Sequence, residues 1–344
     1  MKSMKKLMAV MMSSMLALSL SVGCAATSET SGTTEAPKAA ASNDAKPAEE
    51  AQKTYRIAYI ARAQSDSFAA WLANAVKDEV AANYKDVTVD IFDGESKNEV
   101  IASHIENAVT NQYDAILLQP YDSEAQVAPA MEAMNAGVQL VTVNNRINDN
   151  DRAGAIDADP VEQAAKNAEL ALAQIPQNGK VVVLMGPAGN MHSDMRRIGW
   201  QKAFFDKRPD VKILDEQIAN WNKDEAMRFM EDWIQTYGEI DAIVSMNDNM
   251  AVGALEAAKA AGMNDILSYG VDGTAEACLA IAAGEMTSTT LQSAYTLAEE
   301  AVKLTYKLMT GTGDRETILV DCPLITKENA QEYIELHKKA GNLN

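Results

Sequence analysis

Short apolar runs alternate with longer amphipathic stretches along most of the chain, beginning at Tyr55. Such short runs are typical of buried parallel strands, whereas Ala, Leu, Glu and Lys at helical spacing favour helices. The pattern predicts strands at residues 56–61, 87–92, 115–118, 139–143, 181–185, 211–219, 242–246, 267–271 and 287–291. It predicts helices between them at residues 68–83, 98–111, 123–136, 160–175, 194–205, 223–237, 250–261 and 274–283.

Regular alternation of strands and helices predicts parallel sheets flanked by helices. The elements form two similar series, at residues 55–143 and 181–291. A helix at 294–309, a strand at 317–320 and a helix at 327–340 follow the second series. The predicted fold class is therefore α/β, with two doubly wound parallel-sheet domains.

Residues 294–320 decide how the two domains are connected. If they pack back on the first domain, the chain crosses between the domains three times, near residues 155–157, 292–293 and 321–323. A three-segment connection of this kind forms a hinge with a cleft beside it. We therefore expect an N-terminal lobe of residues 54–155 plus 293–321 and a C-terminal lobe of residues 156–292 plus 322–344.

The composition fits a globular protein with two hydrophobic cores, because 47% of the 344 residues are hydrophobic and 23% are charged. The formal net charge is −19. This charge argues against a nucleic-acid partner, since phosphate binding needs a basic surface.

Residues 1–23 have the features of a signal peptide: a basic start, an apolar run too short to prefer spanning a bilayer, and small residues before Cys24. The segment resembles a bacterial lipoprotein signal, in which the cysteine is lipidated and becomes the new N-terminus. Ser21 stands where that pattern usually has Leu, so secretion with ordinary cleavage remains the alternative. Removal of Lys2, Lys5 and Lys6 changes the formal charge to −19 − 3 = −22.

Residues 24–53 predict a disordered tether, because Ala, Ser, Thr, Glu, Lys and Pro without periodicity cannot bury enough apolar area to fold. A lipidated Cys24 would then hold a folded body at a membrane face. Two further cysteines remain, at Cys278 and Cys322. A disulfide is possible in an exported protein, but Cys278 lies in an Ala-rich helical pattern, which favours two free thiols.

Common catalytic and metal-binding motifs are absent: the chain has no Cys-x-x-Cys, no His-Glu-x-x-His and no Gly-x-Ser-x-Gly. Its three histidines are scattered, so no metal site is predicted. Polar or aromatic residues do recur just beyond the carboxyl ends of the predicted strands, where ligands bind in open α/β sheets. They are Asp66, Phe68, Gln119, Asn144, Asn145, Arg146, Asn190, His192, Arg196, Trp221, Asn247, Asp272 and Gln292.

Each of these residues also has a structural interpretation when taken alone. Asp66 and Asp272 could cap helices, and Trp221 could belong to a core. Together they predict a ring of hydrogen-bonding groups and two aromatic faces around one cleft, which suits a sugar or a cyclitol. At the strand-to-helix junction after residue 246, we expect Asp248 and Asn249 to be caps and Asn247 to face the ligand.

From Tyr55 to about Glu335 the chain resembles periplasmic binding proteins of the ribose/galactose type, which supply ABC sugar importers. The glucose/galactose-binding member is the nearest likeness. The resemblance rests on Gln64–Phe68, Asn247–Ala251, Gly270–Asp272, the Trp of Ala-Asn-Trp-Asn and the Arg after Asp194-Met195. It implies that Asp66, Asn247, Asp272 and Arg196 bind sugar hydroxyls and that Phe68 and Trp221 stack on the sugar ring.

The chain departs from the galactose binder at several of these positions. His192 stands where that protein has Asp, Asn190 where it has His, and Gln292 where it has Asn. The match at residues 144–146 is uncertain by one residue, which leaves open whether Asn145 or Arg146 reaches the ligand. The calcium loop is reduced to residues 176–179, so we expect no calcium there.

The resemblance therefore implies a monomeric, extracytoplasmic, lipid-anchored binding protein without a cofactor, which captures a galactose- or glucose-like sugar and delivers it to an ABC permease. Inositol or a pentose is an alternative ligand, and a chemoreceptor or sensor kinase is an alternative partner. An exported hydrolase using Asp66 and Asp272 is a weaker hypothesis. A transcription regulator would need a helix-turn-helix before the first strand, where this chain has its signal and tether.

Overall fold

A computed structural model describes residues 53–148 and 150–343, and every structural statement below concerns these residues. The predicted signal peptide, Cys24 and all but the last residue of the predicted tether lie outside them. No helix in the described ranges is long and apolar enough to cross a membrane.

Strands and helices alternate through the described residues as the sequence pattern predicts. The strands are β1 (Tyr55–Ala61), β2 (Val87–Asp93), β3 (Ala115–Leu118), β4 (Gln139–Val143), β5 (Gly154–Ala158), β6 (Lys180–Met185), β7 (Lys212–Ile218), β8 (Ala242–Ser245), β9 (Leu267–Asp272), β10 (Ser288–Leu291), β11 (Thr317–Val320) and β12 (Leu324–Ile325). The helices are α1 (Ser67–Asn83), α2 (Asn98–Thr110), α3 (Val127–Asn135), α4 (Pro160–Gln174), α5 (Met191–Trp200), α6 (Lys223–Tyr237), α7 (Asp248–Ala260), α8 (Ala275–Ala283), α9 (Ala294–Thr310) and α10 (Ala330–Lys339).

The strands form two six-stranded sheets with equivalent orders, β11-β5-β4-β3-β1-β2 and β12-β10-β9-β8-β6-β7. All neighbouring strands run parallel except the short β12, which pairs antiparallel with β10. The chain passes from the first sheet to the second after β5, returns between β10 and α9, and crosses again between β11 and β12. The predicted fold class is confirmed, with three connecting segments between two parallel-sheet lobes.

Strand β5 is the one strand of the first sheet's interior that the apolar pattern does not predict. All five of its residues are buried, and it lies between β4 and β11. Two features explain why the apolar pattern does not predict it. At Gly154 a Cβ would lie 2.8 Å from Leu304 Cδ2 of α9, so a larger residue would make Leu304 shift, and Asp157 places a carboxylate inside the strand. The predicted lobe boundary between residues 155 and 156 falls within this strand.

Each lobe has its own core. In the first lobe, apolar side chains pack on both faces of the sheet, with α1 and α9 on one face and α2 and α3 on the other. The core of the second lobe includes the edge-to-face pair of Trp200 and Tyr269. Cys278 and Cys322 are both buried and free, which confirms the prediction of two thiols.

Candidate functional site

A small cavity lies between the lobes, where the carboxyl ends of the strands of both sheets face each other. Nine of the predicted site residues line it, together with two that were not predicted. The lining residues are Arg62, Pro120, Asn144, Asn145, Asn190, His192, Arg196, Trp221, Asn247, Asp272 and Gln292. The cavity volume is about 10 Å³, roughly the room of one water molecule. Polar side chains therefore fill most of the space between the lobes.

Hydrogen bonds join the two lobes directly on one side of the cavity. Asn190 caps α5 by accepting from the Ser193 amide, and its Nδ2 donates across the cleft to the Tyr121 carbonyl at 2.8 Å. Ser123 donates its backbone N–H to the Gly189 carbonyl at 3.1 Å. Gly189 has φ +80°, and a Cβ there would lie 2.9 Å from Asp122. These contacts hold the lobes together in a closed arrangement.

Arg196 lies at the centre of the lining and is only 2% exposed. Its Nε donates to Gln163 Oε1 at 3.0 Å, and its Nη1 donates to the Met246 carbonyl at 2.7 Å. Its Nη2 donates to Gln292 Oε1 and to His192 Nδ1, both at 3.2 Å. Four acceptors from different segments thus fix the plane of the guanidinium group.

His192 connects Arg196 to the opposite lobe. Its Nε2 lies 2.7 Å from Asp157 Oδ1 of β5, while its Nδ1 accepts from Arg196. This pairing requires the Nε2–H tautomer of a neutral ring. Burial lowers the pKa of His192, and the neighbouring Arg196 and Arg146 lower it further, although Asp157 opposes them. The histidine is therefore uncharged at neutral pH.

Asp272 ends β9 with φ +131° and accepts from Gln292 Nε2 at 3.1 Å. Burial raises the pKa of Asp272 well above its usual range, although Arg196 favours the ionised form. Asp248 lies beneath this site. It is completely buried and accepts from the Thr274 amide and from Thr289 Oγ1, so the prediction that it caps a helix is wrong.

Asn247 is the N-cap of α7, contrary to the expectation from sequence. Its Oδ1 accepts from the Met250 amide at 3.0 Å. The helix begins at Asp248, earlier than predicted, and this moves the cap back by one position. Its buried Nδ2 has no partner among the described residues and belongs to the cavity lining, so one side chain serves both purposes.

Asn249 joins the lobes at the mouth of the cleft instead of capping α7. Its Nδ2 donates to Asp66 Oδ2 at 3.0 Å, and its Oδ1 accepts from Ser67 Oγ at 2.7 Å. Asp66 and Ser67 stand at the beginning of α1 in the other lobe. No local sequence pattern predicts this contact, because its partners are more than 180 residues apart.

Four predicted site residues lie outside the cavity lining and support it from behind. Asp66 caps α1 and pairs with Arg62 at 2.7 Å. Gln119 accepts from the Arg62 amide and donates to Asn144 Oδ1, whereas Arg146 donates to Asp157. Phe68 is wholly buried in the core of the first lobe and does not line the cavity. Because α1 begins at Ser67, the ring of Phe68 turns into the core.

Arg62 is the main lining residue that sequence reasoning missed. It directly follows β1, so the rule applied to the other strand ends would have found it. Its guanidinium carbon lies 5.5 Å from the centroid of the Trp221 ring across the cleft, and its Nε is buried without a partner. Trp221 has φ +61° and packs on Gly186, where a Cβ would lie 2.2 Å from the indole ring. The indole N–H is also unpartnered within the described residues.

The site thus contains three buried donors without partners in the described chain: Arg62 Nε, Trp221 Nε1 and Asn247 Nδ2. Buried polar groups are normally hydrogen-bonded, so such donors indicate where a ligand's acceptor oxygens would bind. Three arginines and four aspartates lie in and directly behind the lining. They are Arg62, Arg146 and Arg196, and Asp66, Asp157, Asp248 and Asp272; burial raises the pKa of both Asp248 and Asp272.

Known proteins resemble this chain over most of its length. A family model described as a periplasmic binding protein domain matches residues 57–313. The xylitol-binding protein of Mycolicibacterium smegmatis is 30% identical over 235 residues, which make up 68% of this chain and 67% of that protein. The D-apiose import binding protein of Paraburkholderia graminis is 30% identical over 286 residues, or 81% of this chain and 90% of that protein.

A solved structure agrees with these relatives. The Caulobacter myo-inositol binding protein bound to myo-inositol has a TM-score of 0.77 and 26% identity, over 82% of this chain and 97% of that one. The relatives are binding proteins and not enzymes, which confirms the expectation that this chain is not an enzyme. Because the family model covers well over half of the residues and includes strands of both lobes, the chain belongs to the periplasmic binding protein family.

Proposed function

We propose that this protein binds a neutral sugar or polyol between its lobes and delivers it to an ABC importer. The observation that carries the proposal is the set of side-chain amides, two arginines, one aspartate and an indole ring that both lobes present to the cleft. The lobes must open to admit a sugar, since the cavity in this closed arrangement has room for about one water molecule. Planar polar groups engage adjacent hydroxyls in pairs, and an aromatic face packs against C–H groups. Binding in such a cleft stabilises the closed form, because only that form offers both halves of the site.

The ion pairs around the cavity support a neutral ligand. A carboxylate or phosphate would add a charge to a buried site in which Arg62 and Arg146 already pair with Asp66 and Asp157. The three unpartnered donors fit hydroxyl or ring oxygens, which accept hydrogen bonds without carrying a charge. The relatives named above bind xylitol, D-apiose and myo-inositol, so we propose a pentose, pentitol or cyclitol beside the galactose or glucose expected from sequence.

A sugar hydrolase with Asp66 and Asp272 as its carboxylate pair receives no support from this geometry. Asp66 Oδ1 accepts from both Arg62 and the Ala69 amide, and Asp66 Oδ2 accepts from Asn249. Neither oxygen of Asp66 is free to act as a general acid or base in the cavity. A role in chemotaxis or two-component signalling remains compatible with ligand binding, as a second use of the closed form.

A thermal-shift screen of the soluble body, residues 53–344, tests the proposed function. The panel comprises D-galactose, D-glucose, D-ribose, D-allose, xylitol and myo-inositol, with D-galacturonate and D-gluconate as acidic counterparts. At 100 times its Kd, one site gains about 2.7 kcal/mol of stability by mass action, so one or two neutral compounds should raise Tm by several degrees. Stabilisation by the acids alone would contradict a neutral ligand, and no shift with any neutral compound would contradict the proposal.

We also propose that Cys24 is lipidated and holds the protein at a membrane face. The support is the sequence before it, which has a basic start, an apolar run and small residues. Expressed in a bacterium, the full chain should partition into detergent phase, and Cys24→Ser should release it or leave it unprocessed. An unchanged distribution of Cys24→Ser would instead indicate secretion with ordinary cleavage.

Arg62→Met should weaken binding of the compound that gives the largest thermal shift by about 10- to 100-fold. The substitution removes a buried charged donor worth about 1.5–3 kcal/mol while keeping most of the apolar stem. Titration calorimetry measures the change. Arg197→Met is the matched control, because Arg197 pairs with Glu216 away from the cavity and should leave Kd within about 2-fold. Equal affinity of Arg62→Met and the wild type would remove Arg62 from the ligand contacts.

Asn249→Ala should weaken binding of the same compound about 5- to 150-fold, mostly by faster dissociation. The change removes two hydrogen bonds that exist between the lobes and alters no side chain of the lining, and each such bond contributes about 0.5–1.5 kcal/mol. Stopped-flow measurements separate the two rates. Asn107→Ala on the exposed face of α2 is the control. A change in the order of preference among the panel compounds would show that Asn249 contacts ligand instead.

A further inference from the structure

A buried carboxylate lies at the first crossing between the lobes. Asp157 belongs to β5 and is completely inaccessible to solvent, and the chain leaves the first sheet directly after it, at Ala158. Burial of a carboxylate is costly unless hydrogen bonds and opposite charges compensate it. Asp157 itself does not line the cavity, so direct ligand contact does not explain its burial.

The partners of Asp157 come from both lobes. Arg146 of the first lobe donates its Nε to Oδ2 at 3.0 Å. His192 of the second lobe lies with its Nε2 2.7 Å from Oδ1, and the Ala158 amide donates to the same oxygen at 2.9 Å. One carboxylate therefore fixes the angle between strand β5 and helix α5 at the hinge.

The second crossing contributes to the same group of side chains. Gln292 lies between β10 and α9, and its Oε1 accepts from both Gln163 Nε2 and Arg196 Nη2. Its Nε2 donates to Asp272. Arg196 therefore contacts Gln292 of the second crossing directly. It is linked to the first crossing through His192 and Asp157.

We propose that Asp157 is a positioning residue, which couples the conformation of the hinge to the orientation of the Arg196 guanidinium through His192. The inference rests on the proposed function for its effect on ligand affinity. When the lobes rotate about the crossings, the contact between Asp157 and His192 changes, and His192 no longer holds its place as one of the two acceptors of Arg196 Nη2. Lobe closure and assembly of the site then become one event.

The pH dependence of binding distinguishes this role from a merely structural one. The charged groups facing His192 are Asp157, Arg196 and Arg146. A protonated His192 cannot accept from Arg196, so binding should weaken as His192 becomes protonated on acidification. Asp157 favours the charged form of His192. Removing that charge lowers the pKa of His192 further, and the loss of binding should move to lower pH in Asp157→Asn.

The first experiment measures Kd from pH 8 to pH 5 with the panel compound that stabilises the wild type most. Asp157→Asn should bind about 10-fold more weakly at pH 7.5, within the 2- to 30-fold range of coupling residues, and its acid midpoint should fall. Asp159→Asn is the matched control: Asp159 caps α4 two residues further on, and Asn caps equally well. The proposal would be overturned if the ratio of the Kd of Asp157→Asn to the Kd of the wild type were the same at every pH, or were below 2-fold.

Two further measurements keep the outcome decisive. His192→Asn should weaken ligand binding as much as Asp157→Asn does. The double variant should bind only slightly more weakly than either single variant, because both changes remove the same connection. Losses of affinity that add in the double variant would contradict the coupling. Small-angle scattering without ligand should show a larger radius of gyration for Asp157→Asn than for Asp159→Asn. If no panel compound binds the wild type, the proposed function fails, and the scattering comparison alone decides whether Asp157 holds the hinge.

Discussion

The buried charge of Arg196 is the constraint on which the site depends. Taking a guanidinium group out of water costs several kcal/mol unless acceptors surround it. Here they come from α4, the ends of β8 and β10, and α5 itself. None of these segments can move far without leaving a donor unpaired. The need to solvate one side chain with protein atoms therefore brings together the loops that form the second lobe's half of the cavity.

The first lobe has a corresponding centre in Asp66, with a different consequence. Asp66 caps α1, pairs with Arg62 and accepts from Asn249 of the opposite lobe. The carboxylate thus orients the lining residue Arg62 and also accepts a hydrogen bond that joins the two lobes. Arg62 in turn faces Trp221 across the cleft. Each half of the site presents a group that is fully surrounded only when the other half is present, which is the physical requirement for a binding protein that responds to its ligand by closing.

The fold and most of the lining follow from sequence because both depend on local pattern. Apolar runs give strands, and residues just beyond their carboxyl ends face the cleft. The predictions that failed concern residues whose role depends on where a helix begins or on a partner distant in sequence. Phe68 turns into the core because α1 starts at Ser67, and Asn247 becomes the cap because α7 starts at Asp248. Strand β5 was missed because its buried Asp157 is compensated by His192, a contact that no local window contains.

Backbone strain at the cavity supports the same interpretation of the site. Asn144, Trp221 and Asp272 all line the cavity and all have positive φ values, of +64°, +61° and +131°. Such conformations cost about 1–3 kcal/mol each for residues other than glycine, and they persist only where the surroundings enforce them. In ordinary loops glycine would remove this cost. Glycine, however, has no side-chain amide, indole or carboxylate. These positions therefore keep residues with strained backbone angles, because the cavity needs their functional groups.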